Sequence, residues 1–198
     1  MGGVEAFLFF LALKGEARRE EVRARFPELV PFLKDLGEEL EIQGEAFRLL
    51  RPLRLSWFAP LFQRHARRED PLWPLALERL IEAAHASAEV GEAWVEGEGL
   101  LRVARAFQRG SEALLRGEAG AALRAYGEGL GLLEKAGLPF PSATLALLAL
   151  AQEAFRPGGK GRRTAAKALE RNPTPWARAL AEGVLKGNLD PTLPPQGS

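Results

Sequence analysis

The first fifty residues constrain the fold most, because three short helical patterns there precede an alternating strand pattern. Residues 4–14, 18–26 and 30–36 have the apolar spacing of short helices, and each is followed by a glycine or a proline. Residues 40–49 alternate apolar and polar side chains around a central Gly-Glu pair, which is typical of a β-hairpin. The order of these elements predicts a winged-helix-like domain over residues 1–52.

Such a unit is stable because its helices and its hairpin share one core, in which the hairpin covers the open side of the helices. A generic α+β module built from the same elements is the alternative interpretation. The side chains predicted to form this core are Phe7, Phe10, Val22, Phe26, Leu33, Leu36, Ile42 and Phe47.

The third helical pattern occupies the position of a DNA-recognition helix, but its residue types are unsuited to reading bases. Recognition helices present Arg, Lys, Asn or Gln to base edges in the major groove. Lys34 is the only residue of that kind in this pattern. Glu28, Glu38 and Glu39 flank it and would repel phosphates. We therefore expect the shape of a DNA reader without its chemistry, with Lys34 as the one candidate contact of the recognition helix.

Residues 53–74 combine aromatic and basic side chains and are predicted to connect two domains. Aromatic side chains next to arginines can stack on nucleic-acid bases. More often they are core residues beside a solvated charged face. Trp57, Phe58 and Phe62 precede the candidate nucleic-acid contacts, which are Arg64, Arg67 and Arg68.

Residues 75–156 are predicted to form an all-α domain of helical hairpins. One helix is expected at about 75–90, and a helix pair at about 98–134 with a break at Gly117. Residues 113–126 resemble a tetratricopeptide-type (TPR-like) hairpin, in which small residues let paired helices approach closely. Only one such repeat is present, so no long solenoid is predicted. Hairpins of this kind are commonest as scaffolds for protein interaction or oligomerisation.

Two segments of the chain resemble parts of one known family. Residues 121–147 read AALRAYGEGLGLLEKAGLPFPSATLAL, and residues 7–26 read FLFFLALKGEARREEVRARF. The first resembles the closing helices of the bacterial transcriptional activator domain, found in regulators related to the SARP family of antibiotic regulators. The second resembles the start of the winged helix in the same family. The residues that match the turn of the first segment are Gly137, Pro139, Pro141, Ser142, Thr144 and Leu147.

The resemblance implies a winged helix, a TPR-like helical domain and a role in transcription. Family members usually carry a longer, Arg-rich recognition helix between the second helix and the hairpin, where this chain has a short acidic stretch. The resemblance therefore places no DNA-contacting residue in this sequence.

Basic side chains are concentrated near the C-terminal end. Residues 156–178 carry seven basic side chains and one acidic one, although the net charge of the chain is only +1. Within residues 157–198, a flexible basic loop is predicted to precede two short helices. A solvated loop between helices is the first interpretation of the basic stretch. Contact with a phosphate backbone is the second, through Lys160, Arg162 and Arg163.

The sequence contains no catalytic constellation. There is no cysteine, and the two histidines stand alone, without the spacing of a metal-binding motif. His85 lies on an apolar helix face and is predicted to be a core residue. The chain is therefore not expected to be an enzyme, nor to hold a cofactor or a metal ion.

Hydropathy gives no sign of a membrane span or an export signal. The apolar residues 4–13 are too few to cross a bilayer, and no basic residue precedes them and no cleavage site of small residues follows. We expect a cytoplasmic protein without a membrane partner.

The chain is rich in Arg, Leu, Glu, Pro and Gly and poor in Cys, Met and Asn, a bias typical of thermophiles and of GC-rich genomes.

These observations leave two functional hypotheses. In the first, the chain is a transcription-related regulator whose helical domain dimerises or binds a partner, and whose contact with double-stranded DNA is mainly electrostatic. In the second, the winged helix does not bind DNA, and both domains present surfaces to other proteins.

Overall fold

The computed structural model describes residues 2–89 and 99–191, which form a mainly helical molecule with one small sheet. In the N-terminal part, the predicted three helices and hairpin are present in that order, with one further strand. The elements are helix α1 (Gly2–Lys14), strand β1 (Glu16–Arg18), helix α2 (Arg19–Arg25), a 3₁₀ helix (Pro27–Leu36), strand β2 (Leu40–Gln43) and strand β3 (Ala46–Leu49).

The three strands form an antiparallel sheet in the order β1-β3-β2. The sequence pattern does not predict β1, because its three residues include a single apolar side chain, Ala17. That side chain is fully buried, and Ala17 is paired with Phe47 of β3. Gly15 joins α1 to β1 with a φ of 79°, a left-handed conformation that favours glycine.

The core of the N-terminal part is close to the predicted one. Phe7, Val22 and Phe47 are buried in one cluster. Ile42 is an exception, since 40% of its surface is exposed, and the prediction that it belongs to the core is wrong. It lies in an edge strand next to the hairpin turn, and Leu40 at the other end of that strand is buried instead.

The third predicted helix differs from the prediction in its type and its start. It is a 3₁₀ helix that begins at Pro27 and contains Pro31. Pro31 has no N–H to donate, and its ring would collide with the carbonyl four residues earlier in an α-helix. The tighter 3₁₀ turn therefore replaces the α-helical turn here.

Helices make up the rest of the described chain, and none of them combines the length and hydropathy of a transmembrane segment. The predicted end of one helix at Val90 and the predicted start of the next at Glu98 lie outside the described residues. The helices are α3 (Leu55–His65), α4 (Trp73–Glu89), α5 (Leu100–Leu115), α6 (Ala119–Lys135), α7 (Ser142–Phe155), α8 (Lys160–Leu169) and α9 (Pro175–Leu185).

The segment predicted to be a connector contains α3, which packs in the main core. Leu55, Phe58 and Phe62 are buried, and the ring centroid of Phe58 lies 5.5 Å from that of Phe9 in α1. The interpretation of the aromatic residues as core residues is confirmed for Phe58 and Phe62. Helix α3 thus joins the N-terminal part to the helical part through shared packing.

Helices α5 and α6 form a hairpin with two close crossings. A Cβ added at Gly110 would lie 2.5 Å from the ring of Tyr126, and one added at Gly129 would lie 2.7 Å from the ring of Phe107. The hydroxyl groups of Ser111 and Tyr126 are hydrogen-bonded in this buried interface, 3.0 Å apart. Glycine at these two positions lets the aromatic rings fill the space between the helices.

Candidate functional site

Lys34 lies on the exposed face of the 3₁₀ helix among acidic and apolar side chains. Glu28, Pro31 and Asp35 are also exposed, and Phe32 has 56% of its surface exposed. These five residues are named the Phe32 surface. It carries two carboxylates and one ammonium group, so it offers an apolar centre with acidic neighbours rather than a set of donors for base edges.

Arg64 is held by a carboxylate of α1. Its Nε donates to Oε2 of Glu5 at 3.0 Å, its Nη2 donates to Oε1, and Nε2 of His65 lies 2.9 Å from the same Oε2. Hydrogen bonds from Arg64, and then from His65, lower the pKa of Glu5. The bidentate pair joins α1 to α3, and it occupies the guanidinium group for which the sequence predicts a contact with nucleic acid.

Glu5 is expected to stabilise the fold at neutral pH and to lose this contribution in acid. Its pKa in the folded protein lies below the ordinary value of 4.5, so the stabilisation is complete above pH 4.5 and disappears as the pH falls through the folded value. Urea unfolding of wild type and Glu5→Gln should therefore differ at about pH 7 and converge as the pH falls below 4.5. Glu69→Gln, at an exposed position, is the control. A difference independent of pH would contradict the pairing.

Arg67 and Arg68 bind backbone carbonyl groups. Arg67 donates to the carbonyl oxygens of Ala66 at 2.9 Å and Arg64 at 2.8 Å, at the end of α3. Arg68 donates to the carbonyl oxygen of Ala136 at 3.2 Å, at the end of α6. Cations at the C-terminus of a helix interact favourably with its dipole. Arg67 therefore stabilises the end of α3, and Arg68 stabilises the end of α6.

Lys160, Arg162 and Arg163 lie in the first turn of α8. The prediction of a loop over residues 157–163 is wrong from Lys160 onward, because the helix begins there, after Gly159 in a left-handed conformation. Arg162 Nε lies 3.9 Å from Oε1 of Glu153. Lys160 and Arg163 are exposed, and neither forms an ion pair with a carboxylate of the described residues. These two cations are available to bind an anionic partner.

The two predicted groups of cations do not form one site. Arg68 reaches the end of α6, just before the start of α7, whereas Lys160 follows the last turn of α7. A helix with the 14 residues of α7 is about 21 Å long. The groups therefore lie at opposite ends of this helix, and the six-cation surface expected from the sequence is not assembled.

A groove of about 430 Å³, lined by both apolar and polar residues, lies beside Lys160. Phe155, at the end of α7, has 57% of its surface exposed, and a Cβ added at Gly120 of α6 would lie 3.3 Å from its ring. An aromatic residue directly before a basic stretch is the only sequence signal for this feature. The lining residues, together named the Phe155 groove, are Leu123, Gln152, Phe155, Arg156, Gly158 and Lys160.

A buried charge pair lies in the interior. Glu82 has no exposed surface, and Arg79 donates to its Oε2 at 2.6 Å and to the carbonyl oxygen of Leu13 at 3.0 Å. Burial raises the pKa of Glu82, and Arg79 opposes that shift.

His85, one turn further along α4, is buried as predicted, with its ring centroid 4.9 Å from that of Trp176. These contacts hold α4 against α1 and α9.

Within residues 2–89 and 99–191, no three His, Asp or Glu side chains are placed to share a metal ion. Comparisons with protein-family models, with curated proteins and with solved structures found no match to this chain. Function is therefore inferred from the contacts and surfaces described above.

Proposed function

We propose that this chain is a protein-interaction module, in which a winged-helix-like unit that does not read DNA is joined to a TPR-like helical part. The element order of residues 2–49 and the strand order β1-β3-β2 support the winged-helix-like assignment. The α5–α6 hairpin, with glycine at its two close crossings, supports the TPR-like assignment.

The Phe32 surface carries this proposal. It occupies the position of a recognition helix, and it presents an exposed phenylalanine with acidic neighbours. A phosphate backbone is repelled by Glu28 and Asp35, whereas an apolar group of a protein gains free energy by covering Phe32. Aromatic residues that become buried within a polar rim carry much of the binding energy at protein interfaces.

Electrostatic contact with double-stranded DNA, in a transcription-related regulator, is the second candidate function. The cations Lys160 and Arg163 favour it, because they are exposed and form no ion pair with a carboxylate of the described residues, and so does the excess of basic residues over 156–178. Its contact surface is smaller than the sequence predicts, because Arg64 is paired with Glu5, while Arg67 and Arg68 bind carbonyl groups.

Capture of partners by the immobilised chain tests the first candidate. A nuclease-treated native lysate should yield a protein that wild type retains and Phe32→Ala does not, because the variant lacks the apolar centre of the surface. Leu185→Ala, which changes an exposed apolar residue of α9, is the control and should retain it. A partner held equally by Phe32→Ala would overturn the proposal.

The second candidate is tested by binding to duplex DNA. It is favoured if the affinity for duplex DNA falls steeply with salt and is lost in Lys160→Ala/Arg163→Ala.

A further inference from the structure

We infer that the Phe32 surface binds a second copy of the same chain, in the Phe155 groove of that copy. The inference rests on the proposed function, because it names the partner of the surface proposed there. It is carried by two surfaces of this chain that complement each other in charge and in apolar character.

The charges of the two surfaces are opposite. The Phe32 surface carries the carboxylates of Glu28 and Asp35 against the single ammonium group of Lys34, and it belongs to residues 1–50, which carry ten acidic and seven basic side chains. The Phe155 groove is bordered by Arg156 and Lys160, in a stretch with seven basic side chains and one acidic one. Neither cation forms an ion pair with a carboxylate of the described residues. Opposite patches accelerate encounter and fix the orientation of two proteins.

The apolar centres of the two surfaces also match. Phe32 is the exposed centre of one surface, while Phe155 and Leu123 provide apolar contact area in the other. A groove of about 430 Å³ has room for an aromatic side chain. Placing Phe32 there removes two exposed rings from water and brings them within reach of each other. Glu28 and Asp35 then face the cations that border the groove.

Duplex DNA fits the groove less well than this protein surface does. Its phosphates would pair with Arg156 and Lys160, but the backbone offers only small deoxyribose carbon groups to Phe155 and Leu123, because the aromatic bases are stacked inside the duplex. A protein surface with a phenylalanine and neighbouring carboxylates can do both: the carboxylates pair with the cations, and the phenylalanine packs against the apolar residues of the groove.

Both surfaces belong to one chain, so two copies can exchange two identical contacts. Each copy then places its Phe32 surface in the groove of the other, and a twofold axis relates them. If the geometry does not close, the same contact links copies head to tail. In both arrangements the average molecular mass of the species in solution rises with protein concentration.

Sedimentation velocity on the full chain over a range of concentrations tests the inference. Wild type is expected to self-associate, and Phe32→Ala or Lys160→Glu should raise the dissociation constant at least about tenfold. Raising the ionic strength from about 0.1 M to about 1 M should weaken association, because it screens the charges at the groove. Arg178→Glu changes an exposed cation of α9 outside the groove and should have no effect. The substituted residues are exposed, and circular dichroism verifies that each variant is folded.

Mixing two variants identifies the contact. Lys160→Glu and Asp35→Lys each place like charges on both sides of the interface, so neither variant should self-associate alone. In an equimolar mixture, the new carboxylate of one variant faces the new ammonium group of the other, and association should return. Failure of the mixture to associate, when wild type does associate, would overturn the proposed pairing.

Three further results would overturn the inference. The first is a monomer at every concentration, and the second is self-association that neither Phe32→Ala nor Lys160→Glu weakens. The third is a monomer that binds duplex DNA through Lys160 and Arg163, which would assign the groove to nucleic acid. The proposed function is tested by a separate result. It is supported if a monomeric chain captures a protein that Phe32→Ala does not bind, and it is contradicted if Phe32→Ala retains every partner.

Discussion

Replacing Arg79 with methionine is expected to lower the free energy of unfolding by about 3–5 kcal/mol at neutral pH. Arg79 is the charged partner of the fully buried Glu82, and it also donates to the carbonyl oxygen of Leu13 at the end of α1. Methionine keeps much of the apolar volume of the side chain but leaves a buried carboxylate without its cation. Equilibrium unfolding in urea measures the loss.

The loss is expected to grow with pH. Burial raises the folded-state pKa of Glu82 above the ordinary value of 4.5, so this group favours the folded state most below pH 4.5 and does so less as the pH rises. Removing Arg79 raises that pKa further, because the cation no longer stabilises the ionised carboxylate. The difference between wild type and Arg79→Met should therefore be smallest near pH 4.5 and grow as the pH rises toward about 7. A difference that stays constant over this range would contradict the burial of an ionisable Glu82.

Two further variants assign the loss to the buried charge. Adding Glu82→Gln to Arg79→Met should recover most of the stability, because an amide carries no charge that requires a partner. Arg109→Met is the matched control, since Arg109 pairs with Glu128 at 3.2 Å while 48% of each side chain is exposed. It should change the free energy of unfolding by less than about 1 kcal/mol.

The features that the sequence predicts well are formed by residues close together in the chain. The helical hairpin around Gly117 is present, because its apolar spacing and the glycine break are local signals. The β2–β3 hairpin is present for the same reason, with its turn at Gly44. The apolar neighbours of His85 on one helix face predict that it belongs to the core, and it is buried.

Features formed by residues far apart in the chain leave no such signal. Glu5 binds Arg64 at a separation of 59 residues, and β1 exists only because β3 lies beside it. At the candidate site, the cation Lys160 could be named from the sequence. The Phe155 groove next to it could not, because it depends on how α6 packs against α7.

The glycines near the start of α8 are the reason that the sequence predicts a loop there. Glycine weakens an isolated helix, so a stretch rich in glycine favours a loop when only the sequence is considered. Gly161 nevertheless lies inside α8, where α7 approaches so closely that a side chain has no room. Tertiary packing selects glycine here, and this reason becomes visible only when the two helices are seen together.

Gly161→Ala is accordingly expected to lower the free energy of unfolding by about 3 kcal/mol. A Cβ at this position would lie 2.6 Å from the carbonyl oxygen of Ala149 and 2.9 Å from the backbone nitrogen of Glu153. These are backbone atoms of α7, which cannot rotate away as a side chain can, so the two helices must separate. Thermal unfolding monitored by circular dichroism measures the change.

The same substitution at Gly127 is expected to have the opposite sign. A Cβ there would have no atom within 4 Å, so alanine gains helix propensity and reduces the freedom of the unfolded chain. Gly127→Ala should stabilise the protein by about 0.5–1 kcal/mol. Gly129→Ala should be destabilising but less so than Gly161→Ala, because the obstacle is the ring of Phe107, which can shift. If Gly161→Ala left stability unchanged, α7 and α8 would be farther apart than described, and the position of Lys160 beside the groove would be wrong as well.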